Sequence, residues 1–219
     1  MKLSWSTNAI QLNPNSTNAH IGYSHLLMIL GRSEESAREE RAANVLDPFS
    51  LDTLIVSITN YYHRRQYEEG LSNARTAIEF YPRVFMFHVL LSNFYAAQGN
   101  DELSAKEILL AEESGGASPE RLAALRAALE SAGPMGLRRK RIELNKKLAG
   151  PQPINAYDIA IDCAVVRDND QALVWLEKAL QVRDSKIALI AVEPIFDSLR
   201  SAPRFASLLR QMGLNPTHP

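Results

Sequence analysis

A spacing of 34 residues recurs along most of this 219-residue chain and constrains its fold more than any other feature. Pro14, Pro48 and Pro82 stand 34 residues apart, and each ends a similar short string. Continuing the same step divides residues 17–186 into five consecutive repeats without an insertion or a deletion. The column five residues before the proline is mostly alanine and consists of Ala9, Ala43, Ala77, Ala111, Asn145 and Ala179. A period of this length is typical of arrays of stacked supersecondary units.

Each repeat has the hydrophobic pattern of two helices. Within residues 51–84, apolar side chains recur at three- and four-residue steps on both sides of a polar turn, and Pro82 prevents the second helix from continuing. The composition agrees, because 46% of the residues are hydrophobic while 10 Gly and 11 Pro are few for a many-turned β-protein. We therefore predict an all-α protein made of antiparallel helix hairpins.

The repeats resemble the tetratricopeptide repeat (TPR) family. The first repeat carries the residues of that pattern at Tyr23, Ser24, Leu27, Gly31, Ser36, Ala43 and Pro48. The resemblance implies a right-handed α-α superhelix, a TPR-like solenoid of antiparallel hairpins with a helical C-terminal cap. The strings at 168–185 and 192–214 also resemble the tail of such arrays in bacterial signalling proteins, including transcriptional regulators and kinases.

The predicted organisation has seven parts, of which the first is a half-repeat. Residues 1–16 match only the second helix of a truncated preceding repeat, whose exposed side could form a homo-oligomer contact. The remaining parts are TPR-like repeats at 17–50, 51–84 and 85–118, a divergent basic repeat at 119–152, a fifth repeat at 153–186 and capping helices at 187–219.

The formal net charge of −1 conceals opposite charges on neighbouring repeats. Residues 85–118 hold five acidic residues and one lysine, whereas residues 119–152 hold eight basic and three acidic residues. The basic segment 136–148 lacks the interleaved aromatic residues of a nucleic-acid site, so we interpret it as a solvated face that docks on the acidic third repeat. Nucleic acid is therefore not an expected partner.

No catalytic motif accompanies the repeats. The sequence lacks HExxH, CxxC, GxGxxG, Walker-type and GxSxG strings, and its single cysteine, Cys163, replaces an aromatic core residue. His20 and His88 occupy the same column, where a packing role is expected. We predict no catalytic, cofactor or metal site, and we predict that the protein is not an enzyme.

The resemblance implies that positions 2, 5, 9, 12 and 13 of each repeat line a concave groove. The predicted peptide-binding residues are Asn18, Ile21, His25, Met28, Asp52, Ile55, Thr59, Tyr62, His63, Met86, Val89, Asn93 and Tyr157. Ile21, Ile55 and Val89 stand where family members that clamp a peptide carboxylate carry Lys or Arg. The groove therefore suits an amphipathic helix or an extended apolar peptide, unless other parts of the polypeptide or a second copy cover it.

These features predict a non-enzymatic protein–protein interaction scaffold or adaptor that binds a peptide or helix partner and belongs to a larger bacterial regulatory protein. The alternative is a ligand-sensing domain that binds a small apolar molecule and switches a linked effector. The first residues do not have the pattern of a signal peptide, and the apolar runs are shorter than a membrane span. We therefore expect a soluble, cytoplasmic chain.

Overall fold

All regular structure in the described residues is helical. The computed structural model describes residues 4–148 and 155–214, which contain eleven α-helices, two 3-10 helices and no β-strand. The α-helices are α1 (Ser4–Leu12), α2 (Thr17–Ile29), α3 (Ser33–Leu46), α4 (Leu51–His63), α5 (Tyr67–Phe80), α6 (Phe85–Ala97), α7 (Asp101–Ser114), α8 (Pro119–Leu148), α9 (Ala156–Val165), α10 (Asn169–Gln181) and α11 (Pro203–Gln211). The 3-10 helices are Ser185–Ala191 and Pro194–Leu199. The predicted boundary at residues 152 and 153, and the two ends at 1–3 and 215–219, lie outside the described residues.

Helix starts recur at the spacing found in the sequence. The helices α2, α4, α6 and α8 begin at Thr17, Leu51, Phe85 and Pro119, which are 34 residues apart. Neighbouring helices pack in chain order, and the pairs α2–α3, α6–α7 and α9–α10 share the most extensive contacts. The prediction of an all-α protein is confirmed.

The turns between paired helices depend on one residue in the left-handed conformation. Gly31 and Gly99 have φ of 73°, and the equivalent positions Arg65 and Arg167 have φ of 61° and 66°. In each turn the following N–H bonds back to a carbonyl five residues earlier, for example Arg32 N–H to the Leu27 carbonyl at 2.9 Å. This bond closes the end of the first helix and reverses the chain.

The chain divides into two compact units, Met1–Pro82 and Arg83–Pro219, called here the N-terminal and C-terminal units. In the N-terminal unit, α2 packs against α1, α3 and α4, and α4 packs against α5. The side chains that fill its interior are Leu27, Met28, Ile58, Ala74 and Ala77, each at most 1% exposed. Small residues on α5 let the helices approach closely.

The C-terminal unit has its main core around α9 and α10. The 3-10 helix Pro194–Leu199 and α11 cover these helices with Phe196, Leu199, Phe205 and Leu208, all of which are buried. A smaller cluster joins α7 to α8 and contains Ile108, Leu125 and Leu137. In the described parts of the chain, no helix is both long enough and apolar enough to cross a membrane.

Helix α8 bends sharply near its middle. Ala132 (φ −140°) and Gly133 (φ 65°) leave the helical conformation immediately before Pro134. The two halves meet at Gly136, where an added Cβ would lie 2.5 Å from the Ala132 Cβ and 2.7 Å from the Ala128 carbonyl oxygen. The bend therefore requires a residue without a side chain at position 136.

We expect Gly136→Ala to lower the free energy of unfolding by about 1–3 kcal/mol, because the new methyl group forces the two halves of α8 apart. The matched control is Gly22→Ala on the exposed side of α2, where an added Cβ meets nothing within 4 Å. That change should raise stability by about 0.5–1 kcal/mol through helix propensity. Urea denaturation measures both effects, and equal responses would contradict the close approach at Gly136.

The interpretation of segment 136–148 as a solvated face is wrong for its two innermost arginines. Arg138 is 2% exposed, and both Arg138 and Arg141 bond to Asp162 on α9. Arg139 and Lys146 are exposed, in agreement with the prediction. Part of the positive charge of this segment is therefore paired with the Asp162 carboxylate inside the C-terminal unit.

Candidate functional site

In the N-terminal unit, α2 and α4 lie side by side, and each helix turns one stripe of side chains toward its neighbours. On α2 that stripe holds His20 and Ser24, which bond to Glu39 and Ser36 of α3. On α4 it holds Asn60, whose amide group donates to the Ser24 hydroxyl at 2.9 Å. The predicted groove residues occupy the other stripe of each helix.

The structure brings the predicted residues of α2 and α4 together on what we call the α2–α4 face. Its outer members, Asn18 and Asp52, are exposed. Ile21, His25, Ile55 and Thr59 are partly exposed. Three further predicted residues, Met28, Tyr62 and His63, are 0%, 2% and 8% exposed and are therefore buried. The accessible surface is therefore two isoleucines with a polar border.

Two imidazoles lie near each other on this face. Burial lowers the pKa of His25, and the nearby His63 lowers it further because two positive rings would repel. His63 packs against Tyr62 with ring centroids 5.2 Å apart. His25 is therefore neutral at neutral pH, and the α2–α4 face then presents a weakly polar surface.

The remaining predicted residues belong to the C-terminal unit. Met86, Val89 and Asn93 lie on α6 and are partly exposed. Tyr157 on α9 is 4% exposed and packs edge-on against Phe196 with ring centroids 5.6 Å apart. Burial and the nearby carboxylates of Glu193, Asp158 and Asp184 raise its pKa well above the usual range. Tyr157 is thus part of the core and offers no accessible surface.

A buried polar cluster connects three helices of the N-terminal unit. The Ser24 and Ser36 hydroxyls bond to each other at 3.0 Å, and the Asn60 side chain bonds to both of them and to Glu40. Arg64, at the end of α4, donates to the same Glu40 carboxylate at 2.8 Å. These groups orient α4 on the α2–α3 hairpin and thereby position the α2–α4 face.

A charged cluster plays the corresponding part in the C-terminal unit. Asp162 is fully buried and accepts hydrogen bonds at 2.6 Å from Arg138 and Arg141, while Arg138 also donates to the Ser104 hydroxyl at 2.6 Å. Arg138 and Asp162 are 24 residues apart, as are Ser36 and Asn60. Ser36 and Arg138 occupy one position of the 34-residue repeat, and Asn60 and Asp162 occupy another. The side chains at these two repeat positions therefore contact each other in both units.

Two histidine–carboxylate pairs also repeat. His20 bonds to Glu39 and His88 bonds to Glu107, each at 2.7 Å, and the partners are 19 positions apart in both pairs. Ser24 and Ser92 lie one turn further along, but their hydroxyls bond to other serines and not to the imidazoles. The hydrophobic pattern did not predict these pairs and clusters, although the polar residues recur at matching positions of the 34-residue repeat.

The single cysteine is poorly suited to nucleophilic chemistry. Burial raises the pKa of the Cys163 thiol to about 12, so the thiol is protonated at neutral pH. Within residues 4–148 and 155–214, no group of three or more His, Cys, Asp or Glu side chains is arranged to hold a metal ion.

Two described cavities are open to solvent and have mixed polar and apolar linings. One, of about 330 Å³, lies beside Glu34, Glu40, Tyr61 and Arg64 of the N-terminal unit. The other, of about 540 Å³, lies between the α6–α7 turn and the bend of α8, and its lining residues include Gln98, Asn100, Asp101, Glu102, Pro134 and Met135.

Comparison with models of known protein families finds no match to this chain, and comparison with curated proteins finds no significant match either. The resemblance to tetratricopeptide repeats therefore stays a prediction from the sequence.

Proposed function

We propose that this protein is a non-enzymatic interaction scaffold, built as a TPR-like solenoid, that docks a peptide segment of a partner protein on the α2–α4 face. The supporting observation is that Ile21 and Ile55 lie on two helices that pack against each other and that both side chains are partly exposed. The repeat spacing supports the solenoid, and the C-terminal resemblance alone supports membership of a bacterial regulatory protein.

The chemistry of the face favours a partner with apolar anchor residues. Ile21 and Ile55 offer apolar contact, while Asn18, Thr59 and Asp52 at the border offer hydrogen-bonding groups. Such a distribution fits an amphipathic helix or an extended peptide with one apolar side. Rigid support from the buried cluster at Ser24, Ser36 and Asn60 reduces the ordering cost of binding.

The test begins with peptides selected from a displayed random library against the full chain. We expect Ile55→Glu to weaken the selected peptides at least about tenfold, because a buried carboxylate would lack a partner in the complex. Fluorescence anisotropy with labelled peptides measures the affinities, and circular dichroism verifies the helical content.

The matched control is Thr76→Glu, which adds the same charge at an exposed position of α5. It should leave binding unchanged. Equal affinities for the Ile55→Glu and wild-type chains would rule out the α2–α4 face as the docking surface. Val89→Glu, in the same assay, tests the predicted contribution of α6.

A further inference from the structure

One histidine of the N-terminal unit contacts two hydrogen-bond acceptors at once. His20 Nδ1 lies 2.7 Å from Glu39 Oε2 on α3, and Nε2 lies 3.0 Å from the carbonyl oxygen of Pro14. The imidazole is 10% exposed. A carboxylate and a peptide carbonyl both accept hydrogen bonds, so both ring nitrogens must carry a proton to satisfy them. The geometry therefore requires a charged imidazolium at His20.

The carbonyl belongs to the turn that joins α1 to α2. This turn is closed by the Ser16 N–H, which donates to the Asn13 carbonyl at 3.1 Å, and α1 packs against α2. His20 thus bridges two separate parts of the N-terminal unit. One side of its ring holds the turn after α1, and the other side holds α3.

We propose that His20 is a pH-sensitive latch, which holds α1 and its turn against α2 and α3 while the imidazole is charged and releases them when the ring loses a proton. A neutral ring can donate through one nitrogen only, so a lone pair must then face either the Pro14 carbonyl or the Glu39 carboxylate. The latch is independent of the proposed peptide surface.

The charges around His20 set the direction of the response. Glu39 is the charged group of α3 that acts on the ring, and α1 carries no charged side chain within Ser4–Leu12. Asp52 and His63 of α4 do not contribute to the shift. Burial by itself lowers the pKa of His20, but the Pro14 carbonyl and Glu39 outweigh it, and the net pKa lies above the ordinary value of 6.5.

The sign of the pH dependence follows from this raised pKa. A group with a higher pKa in the folded state contributes its full stabilisation below the unfolded pKa. The contribution is then lost as the pH rises through the folded pKa. The latch is therefore closed below pH 6.5 and opens at higher pH.

His88 provides an internal control for this arrangement. It makes the same 2.7 Å bond to Glu107, and its side chain is 12% exposed. Within the described residues, however, no backbone carbonyl lies at hydrogen-bond distance from its second ring nitrogen. The His88 imidazole consequently holds one neighbouring helix, α7, and does not bridge to a second part of the chain.

The experiment is an NMR titration of the full chain from about pH 6 to about pH 9, across the range where a raised histidine pKa falls. The readouts are the His20 ring signals, the amide shifts of residues 13–16 and the heteronuclear NOE of residues 8–12. We expect the amide shifts to follow the titration of His20 and the NOE to fall above its pKa. Constant amide shifts or a constant NOE through that titration would overturn the latch.

Three variants separate the latch from a general effect of pH. His20→Gln should remove the pH-dependent inflection in the amide shifts of residues 13–16, and His88→Gln should leave that inflection in place. Glu39→Gln should move the inflection to lower pH, because the negative charge that stabilises the imidazolium is gone. An inflection that survives in His20→Gln, or that does not move in Glu39→Gln, would assign the pH response to another group and reject the proposal.

Discussion

Asp162→Ala should lower the free energy of unfolding by about 3–5 kcal/mol, the loss typical of one partner removed from a buried ion pair. Asp162 is fully buried, and Arg138 beside it is 2% exposed. Without the carboxylate, the Arg138 guanidinium stays in the interior with the Ser104 hydroxyl and loses the one opposite charge that the described residues place in direct contact with it. Urea denaturation followed by circular dichroism gives the change.

The control for Asp162→Ala is Asp158→Ala on the same helix. Asp158 pairs with Lys186 at 2.6 Å, but both side chains are more than 40% exposed. Water already screens such a pair, so we expect a loss below about 1 kcal/mol. A triple variant, Arg138→Met and Arg141→Met with Asp162→Leu, removes all three charges of the cluster and should recover most of the stability. If Asp162→Ala and Asp158→Ala lowered the free energy of unfolding by similar amounts, the charges around Asp162 would not contribute as a buried ion pair.

Arg64→Met should destabilise the N-terminal unit by about 3 kcal/mol. Glu40 has a side chain only 5% exposed, and Arg64 is the positive group that reaches it, at 2.8 Å. Among the described residues, removal of the guanidinium leaves the buried Glu40 carboxylate with the Asn60 amide as its hydrogen-bond donor, at 3.2 Å. It also removes the guanidinium that lies 5.0 Å from the centre of the Tyr61 ring. Thermal and urea unfolding report the loss.

Arg32→Met is the corresponding control in the same unit. Arg32 and Glu35 pair at 2.6 Å with side chains 37% and 38% exposed, so water screens the pair and this change should leave the free energy of unfolding almost unchanged. Adding Glu40→Leu to Arg64→Met removes the unpaired charge and should restore stability. If Arg64→Met and Arg32→Met behaved alike, the interpretation of Glu40 as a buried charge held by Arg64 would be wrong.

Periodicity made the helices predictable. Steps of three and four residues identify helical faces from local sequence alone, and the 34-residue spacing anticipates the starts of α2, α4, α6 and α8. Gly31 and Gly99 likewise marked turns, because left-handed backbone favours glycine. Arg65 and Arg167 adopt the same conformation, which their side chains alone do not predict.

The candidate site was predictable only in part. A helical stripe can be predicted from spacing, and the predicted residues Ile21 and Ile55 lie partly exposed on α2 and α4, which pack against each other. The exposure of each side chain in that stripe depends on how closely the neighbouring helix packs against it. Met28, Tyr62 and His63 lie within the same predicted stripe, yet packing buries them.

The sequence by itself determined the helical class, the positions of the turns and the alternation of apolar faces, because each of these depends on residues close in the chain. Tertiary structure alone decided which charges are buried. Arg138 and Arg139 are adjacent and chemically alike, but Arg138 faces Asp162, 24 residues away, whereas Arg139 faces solvent. The partner of a buried charge lies on another helix, and only the packed helices bring the two together.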